Sequence, residues 1–165
     1  AELTFDTQTK NTRFFKFKNE RKSLKYASKD SSRRSIFGNQ AIPKDKPFEF
    51  SINLEESSLN NVPTTMVGIA PERCKEMDFS FTQVGTIFYY PHNGVLYIDG
   101  RKEKALTPAV HGQTVNFKVD FPHKKVVISL NGVELFNSSV DKVILDNENY
   151  YPCVDMYYGD CVSIN

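Results

Sequence analysis

Apolar and polar residues alternate strictly in two stretches of this chain, 48–54 (FEFSINL) and 115–121 (VNFKVDF). Because successive side chains of a β-strand point to opposite faces, a period of two predicts strands with one buried face and one solvated face. Seven further stretches rich in β-branched and aromatic residues predict short strands: 14–18, 23–27, 65–70, 86–90, 95–98, 126–130 and 151–158.

Turn residues separate these stretches, and the clearest turn is Asn131-Gly132, between VVISL and VELF. Asn-Gly favours a type I′ hairpin because both central residues of that turn need a positive φ. The helical candidate is residues 71–78 (PERCKEMD), with Pro71 at the first helical position and at most about two turns. Many short strands without alternating helices predict an all-β antiparallel sandwich.

The chain has 165 residues, of which 39% are hydrophobic. This is enough for one hydrophobic core and predicts a single domain over residues 1–165. No apolar run reaches the roughly 18 residues that a membrane-spanning helix needs, so we expect no membrane span. The three cysteines are an odd number without a C-x-x-C pair, so we expect free thiols in a reducing compartment, either the cytoplasm or the nucleus.

The motifs of the common enzyme and nucleotide-binding classes are absent. The glycines form neither G-x-G-x-x-G nor a phosphate-binding loop, and G-x-S-x-G and H-E-x-x-H do not occur. The histidines lie in predicted turns and are expected to be solvated: His92, His111 and His123. The carboxylates at strand ends are expected on the surface: Glu55, Glu56 and Asp160. We therefore predict no catalytic residue, no cofactor and no metal ion.

Charge is distributed unevenly along the chain. Residues 1–46 carry 12 Lys and Arg against 5 Asp and Glu, a net charge of +7, whereas residues 47–165 carry 9 against 15, a net charge of −6. Either the two parts attract each other within one fold, or the first part presents a basic surface to an acidic partner.

Aromatic residues are concentrated where predicted strands end at turns. In FYYPHNG, Phe88 and Tyr90 share one face of the strand and Tyr89 takes the other, and in MYYGD the pair Tyr157 and Tyr158 divides in the same way. One member of each set is expected in the core. The others suit a binding surface, because tyrosine is a rigid, amphipathic contact residue.

The order of these segments resembles the PRY-SPRY domain, a module found at the end of tripartite-motif proteins and in relatives that recruit substrates to ubiquitin ligases. Residues 3–29 are similar to the PRY segment, with Asp6 and Thr9, then Asn11 and Arg13, then a strand, a charged turn and KSLKY. The rest of the similarity lies in the Gly-containing turn before Phe48-Glu49, followed by MVGIA, NGVLY, VNFKVDF, ISLNGVELF and YYPCVDMYYGDCVSI. The similarity covers nearly the whole chain and depends on the order and spacing of short motifs.

The resemblance implies a bent antiparallel β-sandwich of the concanavalin-like jelly-roll type, with at most one or two short helices. It divides the single domain into a PRY-like segment, 1–46, and a SPRY-like segment, 47–165. It further implies a non-catalytic module that binds a protein or short peptide, as the target-recognition domain of a larger protein such as a tripartite-motif ubiquitin ligase.

This sequence departs from the family pattern because it contains no tryptophan. Several members place Trp at target-contacting positions, and the positions that match here are aromatic anchors of another type: Phe88, Tyr90 and Tyr158. The polar contacts expected beside them on the loops are Arg34, Arg73, His92 and Asn93. The partners of other members therefore do not carry over.

Two other classes of binding module are alternatives. A nucleic-acid-binding module would use the basic first third, with phosphate contacts from lysines and arginines and base stacking on aromatic rings. The residues concerned are Arg13, Lys16, Lys18, Arg21, Lys22 and Lys25, interleaved with Phe14, Phe15, Phe17 and Tyr26. A lectin-like sandwich is the third alternative, against which stand the expected free thiols and the absence of a carboxylate cluster for Ca²⁺.

Overall fold

The computed structural model describes residues 2–29 and 32–165. Thirteen strands and two short 3₁₀ helices, Thr12–Phe14 and Glu72–Glu76, occur in this part of the chain. The strands are β1 Phe15–Lys18, β2 Ser23–Tyr26, β3 Arg34–Phe37, β4 Pro47–Glu56, β5 Met66–Pro71, β6 Ile87–Tyr89, β7 Val95–Ile98, β8 Arg101–Ala105, β9 Thr114–Asp120, β10 Lys125–Leu130, β11 Val133–Ser139, β12 Tyr150–Met156 and β13 Cys161–Ile164. Among the described residues, no helix is long and apolar enough to cross a membrane.

The strands form two antiparallel sheets. The first sheet has the order β1-β2-β13-β4-β9-β10-β11, and the second has the order β3-β12-β5-β6-β7-β8. Both sheets draw strands from residues 1–46, since β1 and β2 extend the first sheet beside β13 while β3 pairs with β12 in the second. The predicted all-β antiparallel sandwich is confirmed.

The main core lies between the two sheets, where the alternating stretches meet. β4 pairs with β9 so that Phe50 lies opposite Phe117 and Ile52 lies opposite Val115. The rings of Phe50 and Phe117 stack with their centroids 5.3 Å apart, and both side chains are almost fully buried. The period of two in the sequence therefore creates the buried face of the first sheet.

A second, smaller group of buried residues covers the opposite face of the second sheet, and we call it the outer cluster. Its members are Phe37, Met66, Ala70, Cys74, Phe88 and Cys153. The 3₁₀ helix Glu72–Glu76 and the residues after it pack on this face, with Met77 and Phe81 against the cluster. β5 is consequently buried on both faces, which explains its almost continuous apolar sequence.

Each of the nine stretches predicted as a strand overlaps one, and β11 is the second strand of the predicted hairpin. The Asn131-Gly132 turn has the positive φ values, 46° and 80°, that a type I′ hairpin requires. The short helix predicted at 71–78 is present as Glu72–Glu76, with Pro71 ending β5 instead of opening the helix. Three strands were missed: β3, β8 and β13. β8 has the sequence RKEKA with all five residues exposed, so it carries no hydrophobic pattern from which a strand is predictable.

Candidate functional site

Arg33 lies just before β3 and brings three aromatic rings together at one end of the outer face of the second sheet. Its guanidinium carbon is 4.1 Å from the ring centre of Tyr157, 5.1 Å from that of Tyr90 and 6.0 Å from that of Phe81. We call Arg33, Phe81, Tyr90 and Tyr157 the Arg33 cluster. Such distances allow cation–π attraction, which strengthens where water is excluded, and Arg33 is only 7% exposed.

Main-chain carbonyls hold the guanidinium in place. Arg33 Nη1 donates to the carbonyl oxygen of Thr64 at 2.6 Å and to that of Asp155 at 3.0 Å. A buried cation is costly unless it is hydrogen-bonded, and these two bonds meet that requirement on one side of the guanidinium. The loop before β5 and the end of β12 thus hold Arg33 in position.

Asp155 fixes the segment that carries Phe81. Its carboxylate is fully buried on β12 and accepts hydrogen bonds from the backbone N–H groups of Ser80 at 3.0 Å and Phe81 at 2.9 Å, and from the hydroxyl of Ser35. Burial raises the pKa of Asp155 above its ordinary value, and these hydrogen bonds and Arg33 oppose the rise. The carboxylate therefore anchors the loop that follows the 3₁₀ helix.

Asp160 fixes the turn that carries Tyr157. Its carboxylate accepts hydrogen bonds from the hydroxyls of Thr64 and Thr65, the latter at 2.8 Å, and from the backbone N–H of Tyr157 at 2.9 Å. The prediction that Asp160 is a surface carboxylate is wrong, because this side chain closes the turn from inside and has 0% exposure. Burial raises its pKa as well.

An open groove of about 310 Å³ lies beside the Arg33 cluster. Its lining residues are Ser32, Arg33, Phe79, Phe81, Thr82 and Tyr157. Among these described residues, Arg33 is the only charged one. The groove therefore combines aromatic walls with one cation, an arrangement that suits an apolar group next to an oxygen acceptor.

The structure places the predicted anchors at three different depths. Phe88 has no exposed surface, and its ring lies against Gly68, where a Cβ atom would be 2.8 Å from it. The interpretation of Phe88 as a contact residue is corrected on this ground, since the outer cluster covers it. Tyr90 is half-buried in the Arg33 cluster, and burial raises its pKa. Tyr158 is 37% exposed, but no contact among the described residues links it to the Arg33 cluster.

The predicted polar contacts are dispersed. His92 is exposed and stacks on Tyr90 with ring centroids 5.3 Å apart, so it extends the cluster, while Asn93 accepts a hydrogen bond from Val95 N–H at 3.0 Å within its own turn. Arg34 points to another flank, where its guanidinium lies 3.9 Å from the ring centre of Phe14. Arg73 is exposed and donates to the carbonyl oxygen of Val84.

Six residues of the site, all lining the groove, were not predicted from the sequence as site residues: Ser32, Arg33, Phe79, Phe81, Thr82 and Tyr157. Nothing in the sequence distinguishes Arg33 from its neighbour Arg34, because the two side chains diverge just where β3 begins. Phe79 and Phe81 alternate with one polar residue, a pattern too short to predict a binding loop from the sequence. Tyr157 and Tyr158 were recognised as a pair, and the turn geometry decides which one meets Arg33.

The four aromatic side chains that would stack on bases in the basic first third are wholly or partly buried. Phe15 and Tyr26 are buried, and Phe14 and Phe17 pack against the main core. Outward-facing lysines do line a surface groove of about 360 Å³ across β1, β2, β13 and β4, but Glu55 and Glu56 line it too. Among the described residues, no group of three His, Cys, Asp or Glu side chains is placed to hold a metal ion.

The three cysteines are free thiols, as predicted. Cys74 and Cys153 are buried, and Cys161 is half-buried at the start of β13. Cys161 Sγ donates to Glu56 Oε2 at 3.4 Å. Burial, followed by the Glu56 carboxylate, raises the pKa of Cys161 to about 11. Since the thiolate is the nucleophile, this thiol is held in its unreactive form at neutral pH.

We expect Glu56→Gln to accelerate the alkylation of Cys161 by iodoacetamide at pH 8. Removing the carboxylate lowers the pKa of Cys161 towards its ordinary value, and a decrease of one unit raises the thiolate fraction about tenfold. The rate is measured by mass spectrometry of the native protein over time. Glu55→Gln is the matched control, since Glu55 raises the same pKa less than Glu56 does. Equal rates in the two variants would contradict the role of Glu56.

No protein-family model and no curated protein matches this sequence. Solved structures do match it over almost its whole length. The SPRY domain of human HERC1 superposes with a TM-score of 0.78 at 19% identity, covering 97% of this chain and 96% of that one. A human SPRY domain gives a TM-score of 0.75 at 14% identity, with 100% and 97% coverage.

The TRIM65 PSpry domain matches with a TM-score of 0.75 at 15% identity, covering 100% of this chain and 92% of that one. TM-scores of 0.75 to 0.78 establish a shared backbone architecture, whereas identities below 20% leave the contact residues of each protein to be determined individually. The resemblance to PRY-SPRY domains that the sequence predicts is therefore confirmed at the level of the fold. This chain is a β-sandwich with the SPRY fold.

Proposed function

We propose that this domain is a non-catalytic protein-interaction module that binds a short segment of a partner protein in the groove beside the Arg33 cluster. The observation that supports this most directly is a rigid aromatic and cationic surface next to an open groove. Asp155 and Asp160 hold the two loops that carry Phe81 and Tyr157, so little conformational entropy is lost when a ligand binds.

The groove indicates the chemistry of the ligand. A guanidinium has five N–H groups, and Nη1 of Arg33 serves the two carbonyls of Thr64 and Asp155. The remaining edge is available to Tyr90 and to an oxygen of the ligand, either a main-chain carbonyl or a carboxylate. Phe79, Phe81 and Tyr157 provide apolar walls for a neighbouring side chain. We therefore expect a segment with an apolar residue adjacent to a strong hydrogen-bond acceptor.

We also propose that residues 1–165 act as one domain and that it selects the target of a larger protein, such as a ubiquitin ligase of the tripartite-motif type. The strands contributed by residues 1–46 to both sheets support the first point. The similarity of the fold to domains of HERC1 and TRIM65 supports the second. We place this activity in the cytoplasm or nucleus, in keeping with three free thiols.

We expect Thr82→Arg to abolish partner binding without loss of stability. Thr82 is an exposed residue that lines the groove, so a long charged side chain fills the space and adds a second cation beside Arg33. The partner is captured with the isolated domain, its binding segment is delimited with overlapping synthetic peptides, and affinity is measured by fluorescence anisotropy. A loss of at least about tenfold is the scale expected for an obstructed binding centre.

Val84→Arg is the matched control, because Val84 is 68% exposed, two residues further along the same loop and outside the groove lining. It should change affinity less than about twofold. Single-stranded RNA measured at two salt concentrations tests the nucleic-acid alternative. Salt-sensitive RNA binding that Thr82→Arg leaves unchanged would replace the peptide-binding proposal.

A further inference from the structure

The last strands of the two sheets, β8 and β11, face each other along one side of the sandwich. A groove of about 450 Å³ lies between them, far along the sheets from the Arg33 cluster, and we call it the edge groove. Its lining residues are Ile98, Glu103, Lys104 and residues 134–139 of β11. Neither strand has a second neighbour in the described part of the chain.

β11 differs from the other three sheet edges because, among the described residues, neither a covering segment nor a cluster of charges protects it. An exposed strand edge invites pairing with another chain, and proteins usually block it with charges or cover it. β1 carries two lysines in four residues and β8 carries four charged residues in five. The edge of β3 is covered, since Ser35 N–H donates to Asp78 O and Phe37 O accepts from Asp6 N–H. β11 has the sequence VELFNSS, with one charge in seven residues.

The register of the sheet shows which backbone groups of β11 point away from β10. Asn131 N–H donates to Thr114 O on the side of β9, and Val140 N–H donates to Lys124 O on the other side of β10. Because the direction of main-chain groups alternates along a strand, even-numbered residues of β10 bond to β11. Its partners there include Phe136 and Ser138. Asn137 and Ser139 therefore direct their N–H and C=O groups towards the edge groove.

We propose that the edge groove binds an extended segment of another protein, which adds as a strand to β11 at Asn137 and Ser139. Three residues contribute apolar surface to this otherwise polar groove, Ile98, Leu135 and Phe136, and all three pack at the margin of the main core. The bulge between Ile128 and Ser129 distorts only the first part of β11. The regular part beyond it presents the outward N–H groups of Asn137 and Ser139 to an added strand, while Ser139 O also accepts from the Ser138 hydroxyl at 3.4 Å.

The charges of the groove define the partner further. Glu103 and Glu134 both line it, against one cation, Lys104. Within the described part of the chain, neither carboxylate forms an ion pair. The complementary segment alternates apolar and polar residues, carries a Lys or Arg among the polar positions and has no proline at a pairing position.

A second copy of this chain fits the edge less well than a single strand does. Pairing β11 with β11 of another copy would bring the two β8 strands together along the same side. Each β8 carries three cations and one carboxylate in the sequence RKEKA, and like charges across such a contact repel. A single extended segment adds to β11 without bringing a second β8 strand to that side.

The test uses a pool of acetylated, amidated heptapeptides in which Val, Ile or Leu alternates with Thr, Ser or Lys. Hydrogen exchange of the amides of Asn137 and Ser139 is followed by NMR with and without the pool. We expect both amides to exchange at least about tenfold more slowly with the peptides, because unpaired amides become hydrogen-bonded. The same peptides with alternate backbone nitrogens methylated should give no protection.

Asn137→Pro and Asn137→Ala separate backbone pairing from side-chain contact. Proline removes the outward N–H at an edge position that tolerates it, so we expect at least about a fivefold loss of peptide affinity. Alanine keeps the N–H and should retain binding. No protection by any peptide, protection that persists with methylated peptides, or peptide-independent protection that rises with protein concentration would each overturn the proposal, the last in favour of self-association.

Discussion

Gly68→Ala is expected to lower the free energy of unfolding by at least about 3 kcal/mol, since overpacking against backbone leaves no side-chain rearrangement to relieve it. A Cβ atom at this position would lie 1.9 Å from the carbonyl oxygen of Ile87 and 2.8 Å from the ring of Phe88. Gly68 pairs directly with Phe88 across β5 and β6. The methyl group therefore separates the two central strands of the second sheet or expels the ring from the outer cluster.

Chemical denaturation of wild type, Gly68→Ala and the control variant Gly112→Ala measures this loss of stability. Gly112 has nothing within 4 Å of its Cβ position and a φ of +89°, so alanine there incurs only backbone strain of roughly 1–3 kcal/mol. We expect the loss at Gly68 to exceed the loss at Gly112. A Gly68→Ala protein as stable as wild type would show that β5 and β6 are not packed as described.

Asp155→Ala should destabilise the protein by roughly 2–5 kcal/mol, because it leaves two buried backbone N–H groups without acceptors and opens a polar cavity. The donors concerned are Ser80 N–H and Phe81 N–H. Loss of these bonds also frees the loop that carries Phe81, so partner binding should weaken together with stability. Both are measured on the same preparation, by denaturation and by anisotropy.

Asp155→Asn is the isosteric control and should cost considerably less. Its amide oxygen accepts from both backbone N–H groups, and its NH₂ group donates to Ser35 Oγ. In this variant the Ser35 hydroxyl turns from residue 155 to Ser80 Oγ, which lies 2.8 Å away. Because burial raises the pKa of Asp155, a neutral side chain is tolerated at this position. Equal destabilisation by Ala and Asn would contradict this hydrogen-bond assignment.

The alternation of apolar residues predicted which face of the sheet each side chain lies on. It could not predict how deeply that side chain is buried. Phe88 and Tyr90 do share a face, as their spacing indicated, and both pack with the outer cluster. The cover over that face comes from Met77 and Phe81, after the 3₁₀ helix Glu72–Glu76, and the sequence does not show that this segment folds back over β6. Phe88 is therefore buried and Tyr90 half-buried for a reason that lies in tertiary structure.

The alternation of side-chain directions also stops being a guide where a strand ends. β12 ends at Met156, so the backbone of the following turn, which Asp160 organises, determines the directions of Tyr157 and Tyr158. A buried aspartate in a turn looks like any surface carboxylate in the sequence, because two of the three donors to Asp160 come from residues far along the chain. Thr64 and Thr65 precede Asp160 by more than 90 positions.

The pair Tyr157→Ala and Tyr158→Ala tests most directly whether the partner segment binds on the Arg33 cluster. The two tyrosines are neighbours with the same exposure, 37%, but only the ring of Tyr157 covers the Arg33 guanidinium. Partner affinity is measured by anisotropy for both variants, with denaturation to verify equal stability. We predict a loss of about 2 kcal/mol or more for Tyr157→Ala, the scale of an interface hot spot, and little change for Tyr158→Ala. Loss of binding in Tyr158→Ala with Tyr157→Ala unaffected would contradict the account.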